Sequence, residues 1–389
     1  MNILQVSHSF IPCYDSGGVV RSVYTLSKEL ASRGHNVTVY TTDGCTKRLD
    51  VEKNKRVSLD GVNVYYFSNI SNTLRMRFKI ATPYHLLRII GKTIKNYDVI
   101  HIHEQRTIIA LIVAYYAKKN NIPIVIHARG STTLERGRVF YKKVFDTFYG
   151  KKMVKNASKL IALTPAEAQQ YQEIGADPQK IVIIPNAIET SLYDNLPPQG
   201  NFREKHNIQA NEKMVLFLGR LNQIKGVDLL VESFALLTND IKDSRLVIVG
   251  PDDGCLDHLE EMINRLKIKS KVLFTGPLYE DDKLEAYVDA DVYVLPSRYE
   301  TFPNTVLEAA ICKTPVIVTE RCGIAEMVKN NMGLVVKYDK ESLKKGIYIL
   351  LTAKSDAFKD KGYSFVREKF SQKVVVDEIE NIYRDLQKR

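Results

Sequence analysis

The 389-residue chain has few cysteines: five, at 13, 45, 255, 312 and 322, an odd number with no C-x-x-C pair. That excludes a disulfide-built scaffold and argues against a zinc site, and it leads us to expect reduced thiols. Long apolar runs are missing too. The longest, 108–117, covers 10 residues, where a membrane-spanning helix needs roughly 20. No stretch near Met1 joins a basic segment, an apolar run and a small-residue cleavage site, so we expect a cytoplasmic protein, placed at the inner face of the cell membrane if it meets a membrane at all. There is no G-x-G-x-x-G, which leaves a nicotinamide site poorly supported. Zinc-finger spacing, an aromatic RNA-binding signature and a basic tail are also lacking, so nucleic acid is not an expected partner.

Acidic residues are scarce in one half only. Residues 1–200 carry 27 basic and 15 acidic side chains, whereas 201–389 carry 29 and 30. The whole +11 surplus therefore belongs to the front half, which implies an anionic partner there: a phosphorylated substrate, a membrane surface or nucleic acid.

Short β-branched runs alternate with segments of helical period along the whole chain, the pattern of parallel sheets covered by helices. Front-half strands are expected at 3–7, 37–41, 62–67, 99–103, 124–128, 160–163 and 181–184, and helices at 20–33, 84–95, 108–119, 139–155 and 166–175. After the Pro-rich, poorly periodic stretch 185–200 a second series follows. Its strands are expected at 214–218, 246–249, 272–275, 292–295, 316–319 and 334–336, and its helices near 227–237, 256–266, 281–288, 305–311 and 342–351. Helical pattern then runs from 355 to 388. Two doubly wound α/β halves imply a cleft formed by loops at the carboxyl ends of the strands.

Three loops carry candidate chemistry. Gly17-Gly18 with Arg21 follows the first strand, where bare backbone and a helix amino end suit an anion, or where the chain simply turns. Gly219-Arg220 with Lys225-Gly226 follows the strand at 214–218, and two cations at that bend suit a diphosphate. The third is the most specific. Glu300 lies in a loop, Phe302, Pro303, Asn304, Thr305 and Val306 open a helix, and Glu308 follows inside it, so that carboxylates for hydroxyls flank amides for phosphate.

Taken in order, Gly17-Gly18 with Arg21, Pro185-Asn186, Gly219-Arg220, Lys225-Gly226 and the E-x7-E pair Glu300 and Glu308 resemble the retaining glycosyltransferases of glycosyltransferase family 4, over nearly the whole chain. The resemblance implies a GT-B fold: two Rossmann-like domains, 1–190 on the acceptor side and 191–370 for the nucleotide sugar, with 371–389 as a terminal helix returning to the first. It implies transfer of a hexose-type sugar from a nucleoside diphosphate sugar, UDP-linked before GDP-linked, without a metal or other cofactor, to a lipid-linked or cell-surface glycan. Arg220 and Lys225 then bind the diphosphate, Glu308 the ribose, Glu300 the transferred sugar, the 302–306 amides line the donor, Leu278 neighbours the base, and Gly17 and Gly18 approach the phosphates. Relatives with soluble sugar or sugar-phosphate acceptors share the E-x7-E region, and that acceptor class stays open.

The family's P-H-G is replaced by His127-Ala128-Arg129-Gly130, which puts Arg129 where a histidine contacts the donor sugar. His8, Arg21 and His103 fall on the acceptor side. His101 and His103 share a strand face as a metal pair does, but no third ligand is evident, and we expect ordinary strand-end residues. The positive charge concentrates in 75–95 and 136–155, where cations interleave with Phe140, Tyr141, Phe145, Phe148 and Tyr149. Such a pattern fits an anionic membrane surface, or a helix with its apolar side in the core.

Overall fold

The computed structural model describes residues 1–14, 17–73, 81–133, 139–354 and 356–388. Arg75, Arg77, Lys79, Arg136 and Arg138, part of the two basic segments, lie outside them. The described chain divides into two compact units, Met1–Ala187 with Gln372–Arg389, and Ile188–Ser371.

The first unit is built on an eight-stranded sheet. Its strands are β1 (Asn2–Val6), β2 (Asn36–Thr42), β3 (Arg56–Leu59), β4 (Val62–Phe67), β5 (Val99–His103), β6 (Ile124–His127), β7 (Lys159–Ala162) and β8 (Ile181–Ile183). Their order is β3-β4-β2-β1-β5-β6-β7-β8, parallel except for β3 against β4. Because successive side chains point to opposite faces, each central strand feeds two cores. Leu4, Val6, Ile100, Ile102 and Ile126 pack on one side with Ile90, Val113 and Ala117 from the helices Leu86–Thr93 and Ile108–Lys119. Ile3, Val37, Val99 and Val125 pack on the other with Val23 and Leu26 of the helix Gly18–Ser32.

That second face is also covered by the terminal helix Gln372–Gln387, whose Val375, Val376, Ile379 and Tyr383 are buried at the i, i+4 and i+8 spacing of one stripe. Each aliphatic side chain so buried contributes about 1.5–3 kcal/mol. Polar contacts set its position: Arg33 reaches Asp377 at 2.5 Å and Glu380 at 3.1 Å. Sequence periodicity predicts helical pattern over 355–388, and the chain there forms two helices, Asp356–Phe370 and Gln372–Gln387. The break falls at Ser371, which pairs with Ile188 as an isolated bridge.

The second unit holds a six-stranded parallel sheet of β9 (Lys213–Leu218), β10 (Ser244–Val249), β11 (Val272–Gly276), β12 (Val292–Leu295), β13 (Val316–Thr319) and β14 (Gly333–Val336). Its order is β11-β10-β9-β12-β13-β14. The central strands are buried on both faces, which is why they read as unbroken apolar runs. Reversal of strand order at β9 and β12 leaves the loops after these two strands side by side, the place where doubly wound sheets bind ligands.

The expectation of reduced thiols fails for one pair. Cys13 and Cys45 form a disulfide with Cα atoms 5.6 Å apart, while Cys255, Cys312 and Cys322 are free. Parallel pairing of β1 with β2 brings the two following loops together, a proximity that a 32-residue separation in sequence conceals.

Candidate active site

In the second unit the chain leaves β9 at Gly219, and the loop is then tied down on three sides. Gly250 after β10 has φ +146, and a Cβ there would fall 1.9 Å from the Gly219 carbonyl oxygen, so the two backbones touch. Leu221 pairs with the segment after β10 through its N–H to the Pro251 carbonyl at 2.9 Å. Asn222 caps the short turn Gln223–Lys225 by accepting from the Lys225 N–H. Gly226 closes the turn at φ +67, with a notional Cβ only 2.1 Å from the Pro296 carbonyl oxygen. Arg298 holds the same turn from the β12 side: it donates to the Gln223 carbonyl and bidentately to Asp228, at 2.9 and 2.5 Å.

This scaffold sets Lys225 Nζ 2.5 Å from Glu300 Oε2, with the two side chains 16% and 14% exposed. Glu300 is fixed through its backbone, because its carbonyl accepts from the Gly323 N–H at 2.7 Å. Only glycine fits at 323, where a Cβ would meet the Thr301 carbonyl oxygen at 2.2 Å. Arg220 is more open, at 52% side-chain exposure, and pairs with Asp253 at 3.1 Å.

The helix Asn304–Ile311 starts after Phe302 and Pro303 with no side-chain cap and no acid in its first turn. Its N–H groups therefore point toward any anion placed before them. Thr305 is anchored by the Tyr293 hydroxyl at 2.8 Å. Inside the helix, Glu308 accepts from the Tyr287 hydroxyl at 3.1 Å and lies 3.2 Å from Lys283 Nζ. Each carboxylate of the E-x7-E pair thus has its own ammonium partner. Sequence reading missed Lys283 and Tyr287; both are buried on the helix Glu280–Asp289, at four-residue spacing. Leu278 lies half-buried in the segment between β11 and that helix.

The first unit presents a different constellation at the carboxyl ends of β5 and β6. Glu104 and Arg129, the residues that leave these strands, both take left-handed backbone, at φ +64 and +54. Two non-glycine residues in that conformation side by side mark a strained, over-determined corner. His8 Nδ1 is 2.7 Å from Glu104 Oε2. Arg21 is exposed, its guanidinium 5.8 Å from the Tyr14 ring centroid, and Gly17 precedes the helix Gly18–Ser32 at φ +81.

Arg129 turns inward. It donates to the Asn186 side chain and reaches His103 Nδ1 at 3.4 Å. Burial pushes its guanidinium down to about 10, against the opposing charges of Glu167 and Glu104. His103 is wholly buried, and its Nε2 lies 2.7 Å from Gln5 Oε1. A carbonyl oxygen only accepts, so Nε2 carries the proton and Nδ1 receives the Arg129 N–H. The expectation that His103 borders an acceptor is therefore corrected: both ring nitrogens are used internally, and the residue positions Arg129.

The expectation that no third imidazole stands near His101 and His103 is also corrected. Register pairs His103 with His127 across β5 and β6, and nitrogens of His101, His103 and His127 lie within 4.8 Å of one another. All three are held well below the usual histidine pKa by burial, aided by the Arg129 charge. His103 is committed to Gln5 and Arg129, and the guanidinium adds positive charge, so the trio is disposed against a dication. Gln5 and Tyr383 complete this row, with the Tyr383 hydroxyl 2.6 Å from His101 Nδ1 and accepting from Gln5 Nε2 at 3.2 Å. The alternation of polar side chains at 101, 103 and 127 was visible in the sequence, but their convergence depends on strand register.

Two family models divide the chain between them. Glycosyltransferase Family 4 matches residues 16–192 and Glycosyl transferases group 1 matches 198–364. An uncharacterized glycosyltransferase of Methanocaldococcus jannaschii is 27% identical over 95% of this chain and 94% of that protein. The D-inositol 3-phosphate glycosyltransferase of Kineococcus radiotolerans is 27% identical over 81% of this chain and 75% of its own length. Among solved structures, Anabaena HepE in complex with UDP-glucose superposes with a TM-score of 0.78 at 22% identity, covering 99% of this chain and 100% of that one. With both halves matched in order and the fold shared end to end, the chain belongs to glycosyltransferase family 4 and is a glycosyltransferase of GT-B fold.

Proposed function

We propose that the protein is a retaining, metal-independent hexosyltransferase. It takes its sugar from a nucleoside diphosphate sugar, UDP-linked in preference to GDP-linked, and passes it to a lipid-linked or cell-surface glycan at the cytoplasmic face of a membrane. The observation that carries the donor assignment is the Lys225–Glu300 contact at 2.5 Å on a loop locked by Gly226 and Arg298. An ammonium for phosphate and a carboxylate for hydroxyls are joined in one pair.

A diphosphate that engages Lys225 replaces Glu300 as its partner and leaves Glu300 to accept from the hydroxyls of the transferred sugar. Arg220 supplies the second cation, the 302–306 amides receive phosphate oxygens, Glu308 takes the ribose hydroxyls and Leu278 lies against the base. In the first unit, Gly17, Gly18 and Arg129 are assigned to the sugar phosphate, and His8 and Arg21 to the acceptor. The acceptor oxygen attacks the anomeric carbon on the face from which the diphosphate departs, while a phosphate oxygen of the donor takes the acceptor proton. One C–O bond breaks as the other forms, and Lys225 and Arg220 offset the charge left on the nucleotide.

The basic, aromatic segment 139–155 is assigned to an anionic membrane surface. It is supported by the helix Val139–Phe145, which buries no residue, and by Phe140, Tyr141 and Phe148, exposed at 74%, 65% and 69%. A soluble, phosphorylated acceptor is the second reading, favoured by the name of the Kineococcus relative.

Lys225→Ala and Glu308→Ala are expected to lower transfer from a nucleotide sugar by at least ~100-fold with unchanged circular dichroism. Near-normal turnover in either would remove the donor assignment. Cosedimentation of the full chain with anionic vesicles separates the acceptor readings, since a soluble acceptor requires none.

A further inference from the structure

On the first unit, the helices Ile108–Lys119 and Lys151–Asn156 border a cavity of about 870 Å3, within the ~300–1,000 Å3 range of small-molecule sites. Ala114, Ile124 and Met153 form its buried floor, while Tyr115 and Tyr149 stand at its mouth, 62% and 48% exposed. Lys118, Lys119 and Lys152 also line it and are exposed.

The segment that carries Tyr149 and Lys152 is fixed by a specific anchor. Asp146, the one acid among the described residues from 105 to 156, is taken by Arg106 through two hydrogen bonds at 2.9 and 2.6 Å. The π-helical turn Asp146–Gly150 needs its glycine, because a Cβ at 150 would sit 2.5 Å from Asp146 Oδ1. With its one buried charge spent inward, the segment faces Phe148, Tyr149 and its lysines outward. Lys118 donates to the neutral Asn156 side chain at 3.0 Å, and among the described residues no carboxylate pairs with Lys119 or Lys152. An apolar chain-sized cavity rimmed by unopposed ammonium groups is complementary to a molecule with a fatty tail and an anionic head.

We propose that this cavity seats one acyl chain of an anionic phospholipid, with the lipid phosphate on Lys119 and Lys152. The inference rests on the membrane contact proposed above and gives it a defined lipid site. Because the chain contains no tryptophan, Tyr149→Trp or, separately, Tyr115→Trp makes the mouth of the cavity the sole indole. The probe is dioctanoylphosphatidylglycerol kept below its micelle-forming concentration, so that no bilayer is present. The expected result is a saturable, one-to-one blue shift, at least ten-fold weaker with dioctanoylphosphatidylcholine and in the Lys119→Glu/Lys152→Glu background, each variant being checked for native circular dichroism. No shift, a shift that does not saturate, or equal response to both lipids overturns the proposal. If the unaltered chain still pellets with anionic vesicles in that case, the cavity assignment alone falls; if it does not, the membrane contact falls with it.

Discussion

Lys225 and Glu300 keep their geometry because residues around them cannot be exchanged. Gly226 combines a left-handed φ of +67 with a 2.1 Å approach to the Pro296 carbonyl oxygen. Its replacement by alanine has no comfortable answer: the left-handed backbone costs about 1–2 kcal/mol, and the clash must also move the end of β12. Gly226→Ala is therefore expected to lower stability by at least ~2 kcal/mol in urea titration, and to weaken donor binding as well, since the displaced turn carries Lys225. In the first unit the buried imidazoles set the acid response. Desolvation, then Arg129, holds the pKa of His127 well below its usual 6.5, so the unfolded chain binds protons first as pH falls. Stability contributed by the neutral trio is present above 6.5 and declines below it. Among the described residues, neither ring nitrogen of His127 has a hydrogen-bond partner, so His127→Leu is expected to unfold no more easily at pH 7. It should also reduce the loss of stability below pH 6.5 by up to about 1.4 kcal/mol per pH unit, measured by chemical denaturation at several pH values.

Among the elements, the terminal helix Gln372–Gln387 is attached by an apolar stripe together with a titratable contact. Burial works to raise the Glu380 carboxyl, but hydrogen bonds from Arg384, Arg33 and His35 overcome it and hold it at about 2, from an ordinary 4.5. A depressed carboxyl contributes above 4.5 and loses that contribution as pH falls toward 2. Hydrogen-exchange protection of residues 372–387, taken relative to the intrinsic amide rate at each pH, should therefore fall over that window in the wild type, and Glu380→Gln should be less protected at pH 7 with a flatter pH dependence. The segment 139–156 behaves differently. Periodicity reads 139–155 as one helix, whereas Arg106 and Asp146 divide it around a π-turn, so that a pattern that resembles a core-facing stripe packs Phe145 against the core but leaves Phe140, Tyr141, Phe148 and Tyr149 exposed.

At the scale of the whole molecule, the alternation of β-branched runs and helical periods was enough to locate nearly every strand, because strands buried on both faces cannot be written in polar residues. The strand β3 escaped that reading: Arg56–Leu59 is a short antiparallel edge with exposed positions and no apolar run. Residues carried by a local motif, such as Lys225 and Glu300, which the fold brings to 2.5 Å of each other, were nameable from the sequence. Those assembled by register were not. Lys283 and Tyr287 reach Glu308 only after the sheet forms, and Gln5, His127 and Tyr383 meet His101 across β1, β5, β6 and the terminal helix. Cys13 and Cys45 belong to the same class, joined by parallel pairing of β1 with β2. Part of the charge surplus of the front half lies in Lys118, Lys119 and Lys152 around the cavity, and in the reading proposed above the near-neutral back half meets phosphate through Arg220, Lys225 and helix amides.

The central claim is that residues 188–371 hold a nucleoside diphosphate through Lys225, and it is tested most directly by thermal unfolding of the intact chain with and without UDP. A ligand that binds only the folded protein adds about 2.7 kcal/mol at one hundred times its Kd, so the wild-type Tm should rise with UDP concentration. Lys225→Ala, melting near the wild-type temperature without UDP, should show little or no rise. A wild type that UDP, UDP-glucose and GDP all leave unshifted, or a Lys225→Ala variant stabilised as strongly as the wild type, would contradict it.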